Sequence, residues 1–211
     1  YQLLQFLFFW GKLAYNLFVV DDEQTKKLMQ GTISGIGSEV PQHVYTYGKQ
    51  GRGEGATKAK DHLEAFERIA SVLSSRTTGE EDYLRNLGVV AHRVPHGGER
   101  FKTQVMVTEE VVNLIESFES FAPRGNPAAI QGIRAAQQVM GKAAQVAFFD
   151  TAFHQSMPAE AFLYSIPYEL YERHGLRRFG FHGISHRIAI GTAATELGAF
   201  PEDLRILSLY L

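Results

Sequence analysis

The sequence has 211 residues, with 21 Lys and Arg against 23 Asp and Glu, and this balance argues against a protein that binds nucleic acid mainly through bulk positive charge. Hydrophobic residues make up 45% and charged residues 21%, which is typical of a globular protein rather than a disordered one. Because cysteine is absent, disulfides, thiolate metal sites and a cysteine nucleophile are excluded, and a reducing cytoplasmic location is favoured.

The first twenty residues form the most apolar stretch of the chain and approach the length needed to cross a bilayer. Polar side chains interrupt it, however, and it has no basic flank of the kind found in signal peptides. Gly11 divides it into two short runs, Leu3–Trp10 and Leu13–Val20. The pattern fits a buried β-hairpin that turns at Gly11-Lys12 better than it fits membrane contact.

Two further strands are predicted at Gln30–Ile36 and Gln42–Gly48. Residues 51–55 then spell G-x-G-x-G. This motif lacks the following apolar strand–helix context that a phosphate-binding loop requires, so we predict a turn here.

From about residue 54 onward, predicted helices alternate with predicted strands, and with the β-rich front end this favours an α/β protein with a mixed sheet. Five helices are predicted. The first is Lys58–Leu73, the second is capped by Thr108 and runs through Phe118, and the third begins at Asn126-Pro127 and ends at Gly141. The fourth runs from Pro167 to Gly175, and the fifth is Ser185–Leu197, which Gly198 ends. The predicted strands are Gly88–Val90, Val146–Phe149, Arg178–Phe181 and Leu204–Leu211.

Three polar clusters follow predicted strands, at residues 92–99 (HRVPHGGE), 150–155 (DTAFHQ) and 181–187 (FHGISHR). In α/β sheets, ligands gather at the carboxyl ends of strands, so these clusters are candidates for one site. They contain five of the eight histidines: His92, His96, His154, His182 and His186. For each histidine, the alternative is a packed side chain with a backbone hydrogen bond.

Zinc is one interpretation of the third cluster, because His182 and His186 are four residues apart. Against it, His182 precedes the predicted helix, Gly183 intervenes, and no carboxylate completes an H-E-x-x-H arrangement.

An oxyanion or phosphate site explains the residue types better. Arg93 offers a planar fork of donors, and Gly97-Gly98 would let backbone amides approach an anion. Ser185 opens a predicted helix, whose N-terminus favours anions. Asp150 would orient a group or hold a metal through water. The pattern suits phosphoryl or acyl-phosphate chemistry, in which positioning and charge neutralisation carry catalysis.

The three clusters together resemble the acetate kinase (acetokinase) family. Residues 177–187 (RRFGFHGISHR) and 149–158 (FDTAFHQSMP) are similar to two of its signature blocks, and residues 92–99 match a third with one change. The order and spacing also fit, from about Tyr15 to about Leu209.

The resemblance implies the sugar-kinase/actin-like (ribonuclease H-like) superfamily, with two related α/β domains. Residues 1–150 would form the first domain and residues 151–211 the truncated start of the second. It also implies a cytoplasmic homodimer that transfers a phosphoryl group from ATP to acetate with Mg2+, giving acetyl phosphate and ADP. Neither nucleic acid nor a membrane is an expected partner.

The resemblance also implies roles for four residues. Arg93 would bind the oxygens of acetate or acetyl phosphate, and Phe181 would face a small acyl pocket. Asp150 would be the essential acidic residue at the reacting centre, and His182 would steady the phosphoryl group in transfer. No residue of this chain is assigned to cofactor binding or as a metal ligand.

Three departures from the family pattern alter these expectations. With Tyr15 in register, Leu7 and Ala14 replace the Asn and Lys of a phosphate-binding turn. Arg124-Gly125 stands where the family usually has Leu-His, which removes a phosphate-contacting histidine and places a cation by the acyl pocket. The 211 residues also do not include the adenosine-binding half or a later active-site arginine.

We therefore expect an inactive or impaired fragment of an acetate kinase. One alternative is a non-catalytic descendant that acts as a binding or dimerisation module. Another is a related propionate or butyrate kinase, because Pro95 and Arg124 alter the pocket wall.

Overall fold

A long antiparallel hairpin opens the fold, as the sequence predicts. It consists of β1 (Gln2–Phe9) and β2 (Lys12–Val20). The structure is a computed structural model that describes residues 2–9, 11–21, 24–75 and 83–209. Alternate side chains of the hairpin are almost fully buried, namely Leu4, Phe6, Phe8, Leu13, Tyr15 and Leu17. This period of two is what places one face of each strand in a core.

The hairpin lies in the middle of a mixed sheet. In the described part of the chain the strand order is β5-β4-β3-β2-β1-β6-β8-β7. The antiparallel side adds β3 (Thr25–Ser34), β4 (Gln42–Tyr47) and β5 (Gly51–Ala56). On the other side, β6 (Leu87–Val94) and β8 (Ala144–Phe149) run parallel to β1, and the short β7 (Val105–Met106) pairs antiparallel with β8. The α/β class with a mixed sheet is confirmed.

The prediction of a turn at residues 51–55 is wrong, because this segment forms β5. Its glycines pair with β4, whose Tyr45 and Tyr47 rings lie over Gly53 and Gly51. A Cβ atom would come within 2.3 Å of the Tyr45 ring at Gly53 and within 2.5 Å of the Tyr47 ring at Gly51. The alternating glycines are therefore strand positions that tyrosine rings cover, not turn residues.

Two helices pack on one face of the sheet, α1 (His62–Ser75) and α3 (Asn126–Met140). The Phe66 ring of α1 lies 4.4 Å from the Phe6 ring, centroid to centroid. Between them along the chain, α2 (Glu109–Ser117) begins as predicted, because the backbone N–H of Val111 donates to Oγ1 of the Thr108 cap at 3.3 Å. This is one of the donors that a helix N-terminus otherwise leaves unpaired.

The C-terminal part contains two short helices, α4 (Ala159–Phe162) and α5 (Tyr168–His174), and the 14-residue α6 (Gly183–Glu196). The predicted helix that ends at Gly175 is confirmed, and α6 begins two residues before the predicted Ser185. The predicted strands Arg178–Phe181 and Leu204–Leu211 are wrong where the structure describes them, since neither 178–181 nor 204–209 is a strand. A strand needs a ladder partner, and the described sheet places none beside either segment. Residues 210 and 211 lie outside the described part.

None of the described helices is long and apolar enough to span a bilayer.

Candidate functional site

Arg93 and Asp150 form an ion pair at the carboxyl ends of two neighbouring parallel strands. Arg93 lies near the end of β6, and Asp150 directly follows β8. The Arg93 Nε atom lies 3.0 and 3.1 Å from the two carboxylate oxygens, and one terminal nitrogen lies 2.5 Å from Oδ2. The Asp150 side chain is 3% exposed and that of Arg93 is 24% exposed. Such a two-point contact fixes the plane of the guanidinium group.

His182, at the start of α6, lies beside this ion pair. We refer to Arg93, Asp150 and His182 together as the corner. It occupies the N-cap position with a φ of 56°, and among the described residues no other non-glycine has a positive φ. The next residue, Gly183, donates its backbone N–H to the Asp150 carbonyl oxygen at 2.8 Å. A Cβ atom at Gly183 would lie 2.4 Å from that oxygen. Only glycine therefore allows the helix to begin against Asp150, and this contact holds His182 beside the ion pair.

A groove of about 740 Å³ runs from this corner across the sheet face opposite α1 and α3. Its polar end is lined by Arg93, Asp150, His182 and Ser185. The rest of its wall is largely apolar and includes Leu3, Leu7, Phe18, Phe148, Ile184 and Ile188. Leu7, which the resemblance aligns with an asparagine, is one of these apolar wall residues.

Phe181 lies outside the residues that line the groove. The residue is 46% exposed, and its ring lies 5.8 Å from the His96 ring, centroid to centroid. Its backbone carbonyl lies 3.0 Å from Nε2 of His154. The structure thus brings Arg93, Asp150 and His182 together and places Phe181 next to a separate aromatic cluster.

His96 is the centre of that aromatic cluster. Its ring stacks on Phe121 at 5.0 Å and meets the edge of Phe179 at 4.5 Å. Burial lowers the pKa of His96 to about 4, so its imidazole is neutral at pH 7. His96 of the first polar cluster therefore packs as a neutral ring, and its Nδ1 accepts a hydrogen bond from the Gly98 N–H.

Asn126 fixes the backbone of His96 rather than capping a helix. Its side-chain oxygen accepts from the His96 N–H at 3.1 Å, and its side-chain nitrogen donates to the carbonyls of His96 and Ile115 at 3.0 and 3.1 Å. Gly125 holds the N-cap position of α3 instead. The helix begins at Asn126 as predicted, but the Asn126 side chain does not cap it, because the fully buried side chain bonds to tertiary partners instead.

The anion role predicted for Gly97-Gly98 is also wrong. The Gly97 N–H donates to Oγ1 of Thr151 at 3.1 Å, and the Gly98 N–H donates to Nδ1 of His96 at 3.1 Å. The Gly98 amide thus bonds within the first polar cluster, and the Gly97 amide links the first cluster to the second. Gln155 adds a third tie through a 3.1 Å bond to the Gly98 carbonyl.

Pro95 and Gly125 occupy adjoining space. A Cβ atom at Gly125 would lie 2.6 Å from Cγ of Pro95, well inside van der Waals contact. The side chains that positions 95 and 125 can carry are therefore sterically coupled.

Two of the remaining histidines do not join the corner. His92 is fully buried, lies within 6.2 and 5.9 Å of the Phe6 and Phe8 rings, and has its Nε2 2.8 Å from the side-chain oxygen of Gln145. Burial lowers its pKa to about 4. His186 points away, with its Nδ1 2.9 Å from Oγ of Ser208. In the described ranges, no group of three or more His, Asp and Glu side chains is arranged to hold a metal ion.

Sequence reasoning missed three residues that hold the three polar clusters and their surroundings in place. Gly183 lies between His182 and His186 in the sequence, and only the structure shows that the start of α6 packs against Asp150 at this glycine. Asn126 carries an ordinary cap signal that conceals its tertiary role. Arg177 lies within a recognised block, but its partner, Glu99, is 78 positions away along the chain.

Comparisons with known proteins agree with the resemblance. A family model described as the acetokinase family matches residues 11–211. The chain is 41% identical over 201 residues to an acetate kinase of Thermotoga maritima and 39% identical over 203 residues to one of Clostridium novyi. These matches cover 95% of this chain but 50% and 49% of the relatives, so the chain spans about half the length of the curated relatives it matches.

Solved structures give the same picture. The acetate kinase of Porphyromonas gingivalis superposes with a TM-score of 0.87 at 32% identity, covering 95% of this chain and 50% of that one. A propionate kinase of Francisella tularensis superposes with a TM-score of 0.85 at 29% identity, covering 94% of this chain and 49% of that one.

Proposed function

Because this chain belongs to the acetokinase family, we propose that it forms the carboxylate-binding corner of an acetate kinase. In the reaction, a carboxylate oxygen of acetate attacks the γ-phosphorus of ATP. The bond from that phosphorus to the ADP oxygen breaks, and acetyl phosphate and ADP leave. The observation that carries the proposal is the convergence of Arg93, Asp150 and His182 at one end of a groove.

Each side chain of the corner has a role under this proposal. Arg93 binds the oxygens of acetate or acetyl phosphate, and its pairing with Asp150 supports this role because it keeps the cation in one orientation. Asp150 is the essential acidic residue at the reacting centre. His182 steadies the phosphoryl group in transfer, where positioned charge contributes most to catalysis.

Phe181 is proposed to face the acyl group of the acceptor. Its exposed ring beside His96 supports an apolar surface next to the corner. We propose acetate as the acceptor. Since the propionate kinase of Francisella tularensis shares the fold, the choice of acceptor would rest on side chains such as Phe181 and Pro95 rather than on the fold.

The donor and the metal are proposed to be ATP and Mg2+. Mg2+ usually binds one or two carboxylates and the phosphates of a substrate. In the groove the carboxylate is Asp150, and both of its oxygens contact Arg93. The described residues therefore do not fit a site built for Mg2+ by protein ligands alone, and Leu7 offers a nucleotide phosphate no hydrogen bond.

A homodimer in the cytoplasm is the proposed working form. Large apolar side chains exposed in the C-terminal part support a packing surface there, including Ile188, Leu197, Phe200, Leu207 and Leu209. Size-exclusion chromatography with light scattering tests the dimer, and a monomer at all concentrations would contradict it.

Arg93→Ala tests the corner directly. Binding of acetate and of acetyl phosphate to the 211-residue chain, measured by calorimetry, should weaken about 10- to 100-fold, because hydrogen bonds to a charged group are each worth about 1.5–3 kcal/mol. Arg134→Ala is the matched control, because Arg134 forms an exposed ion pair with Glu109 outside the groove. Unchanged binding in Arg93→Ala would refute the assigned role.

A coupled assay for acetyl phosphate separates the fragment from the non-catalytic alternative. We expect no turnover from the 211 residues alone and measurable turnover when they are joined to the second half of the Thermotoga maritima relative. Binding without turnover in the joined chain would instead support the binding or dimerisation module.

A further inference from the structure

Arg177 is a buried cation that lies between two aromatic rings. Its side chain is 4% exposed. The guanidinium carbon lies 3.7 Å from the centroid of the Phe162 ring and 5.0 Å from that of the Phe179 ring. Cation–π contacts of this kind gain strength when they are desolvated. The planar guanidinium stacks in a way that a lysine ammonium group does not.

The same guanidinium pairs with a distant acidic residue. Its Nη1 atom donates to Oε1 of Glu99, and the Tyr171 hydroxyl donates to the same oxygen at 3.1 Å. Glu99 belongs to the loop after β6, whose strand carries Arg93, whereas Tyr171 lies on α5. Arg177 thus joins the loop that follows the Arg93 strand to α4 and α5.

Energetics argue that this cation serves geometry rather than stability. The second terminal nitrogen, Nη2, is buried and has no hydrogen-bond partner in the described part of the chain. Glu99, the partner of Arg177, is 45% exposed, and an ion pair with an exposed partner contributes little to stability. An apolar residue at 177 would not be held in one orientation by the Phe162 and Phe179 rings and the Glu99 carboxylate, as the guanidinium group is.

The segment held by Arg177 carries His182. Residues 176–182 contain neither helix nor strand. Few contacts hold their backbone, notably the Arg178 N–H to the Phe162 carbonyl at 2.7 Å and the Phe181 carbonyl to His154 at 3.0 Å. Phe179, in the middle of the segment, packs between Arg177 and His96. A displacement of Arg177 would therefore move the chain that leads to His182.

We propose that Arg177 is a positioning residue whose clamp on Glu99, Phe162 and Phe179 sets the place of His182 in the groove. The proposal rests on the proposed function only for the ligand that His182 contacts, a phosphoryl group.

Histidine NMR and phosphate binding test the clamp. The Cε1–H signal of His182, assigned with His182→Gln, should shift in Arg177→Met by more than its linewidth. The affinity for inorganic phosphate should fall about tenfold in this variant, while binding of acetate, which the proposal places on Arg93, should change less than threefold. Arg177→Lys keeps a charge for Glu99 but loses the stacked plane, and it should give intermediate values of both readouts.

Two controls separate positioning from general destabilisation. Phe66→Leu weakens the core far from the groove and should lower the melting temperature without moving the His182 signal. Arg134→Met removes an exposed ion pair with Glu109 and should leave both readouts unchanged.

The outcomes are decisive in either direction. A folded Arg177→Met or Arg177→Lys with an unchanged His182 signal and unchanged phosphate affinity would overturn the clamp, as would an equal shift in Phe66→Leu. If Arg177→Met does not fold, Arg177→Lys and Glu99→Gln decide by the same two readouts. If the unaltered chain binds neither acetate nor phosphate, the proposed function fails, and the His182 signal still decides the clamp.

Discussion

The two ends of the chain differ in how they are held together. The described residues up to 150 bury a continuous apolar core between the sheet and its helices, with Phe6, Phe66 and Ile69 fully inaccessible to solvent. In the described residues after 150, the buried apolar side chains are Phe179 and Ala194. The first region is held by hydrophobic burial, which is non-directional and large. The second is held by a few directional contacts, among them the Gly183 N–H to the Asp150 carbonyl.

This contrast explains how the candidate site is built. The core region fixes Arg93 and Asp150 on neighbouring strands, so their geometry survives small local changes. His182 and Phe181 belong to the second region, where single contacts determine position. A domain boundary at residue 150 remains a prediction.

The largest expected difference between the regions concerns truncated apolar side chains. Phe66→Ala should lower the free energy of unfolding by about 3–5 kcal/mol, because it leaves a cavity in the core. Leu207→Ala, at a side chain 85% exposed, should change it by less than about 0.5 kcal/mol. Urea denaturation followed by circular dichroism measures both, and equal losses would show that the regions share one core.

Acid should destabilise the core region through three histidines. Burial lowers the pKa of His43, His92 and His96 to about 4, below the value of about 6.5 in an unfolded chain. The neutral folded form is therefore fully favoured above pH 6.5, and stability is lost as the pH falls towards 4. The loss at pH 5 is about 2 kcal/mol per histidine.

Denaturation curves between pH 7.5 and 4.5 test this dependence. His92→Gln should flatten it by about one histidine's share, whereas the exposed His174→Gln should not. A free energy of unfolding that is constant over this range would contradict the assignment.

Gly183→Ala should affect the second region without affecting the first, because it alters the contact between the start of α6 and Asp150. The added Cβ would lie 2.4 Å from the Asp150 carbonyl oxygen and 2.7 Å from Cβ of Phe153, so the start of α6 must move. We expect phosphate binding to weaken about tenfold, which corresponds to about 1.4 kcal/mol, with little change in core stability.

Gly191→Ala is the matched control in the same helix. An added Cβ there meets nothing within 4 Å, and a helix interior gains about 0.5–1 kcal/mol from this change. Equal weakening of phosphate binding by the two variants would exclude the Asp150 contact as the cause.

The smallest expected change in stability is at the exposed apolar side chains of the second region. Leu207→Lys and Leu209→Lys should leave the free energy of unfolding within about 0.5 kcal/mol of the unaltered chain. Both should reduce self-association, because exposed apolar patches drive it. Light scattering over a concentration series measures the effect. Val40→Lys, at an exposed apolar residue of the first region, should reduce self-association less.

Local signals in the sequence predicted much of the fold. The apolar runs on either side of Gly11 predicted the hairpin, Thr108 predicted the start of α2, and the apolar run before Asp150 predicted the strand that delivers it. The formation of each of these elements depends on its own side chains or on residues next to it in the sequence. The predicted strand Leu204–Leu211 is absent over its described residues, 204–209, because a strand depends on a neighbour that its own residues do not specify.

The site was predictable in its residues but not in its contacts. The strand-end positions of Arg93 and Asp150 made them candidates for one site, and the structure brings them together because β6 and β8 are adjacent and parallel. The separation of Phe181 from the groove and the engagement of the Gly97 amide by Thr151 depend on tertiary packing. The link from Arg177 to Glu99 joins residues too far apart along the chain for spacing to reveal it.

The contact between Pro95 and position 125 means that these two positions have to be changed together. A Cβ atom at 125 would lie 2.6 Å from Cγ of the proline ring, so Gly125→Ala or Gly125→His requires the ring or its loop to shift. A variant that places a histidine at 125 should therefore also replace Pro95, which directly follows β6.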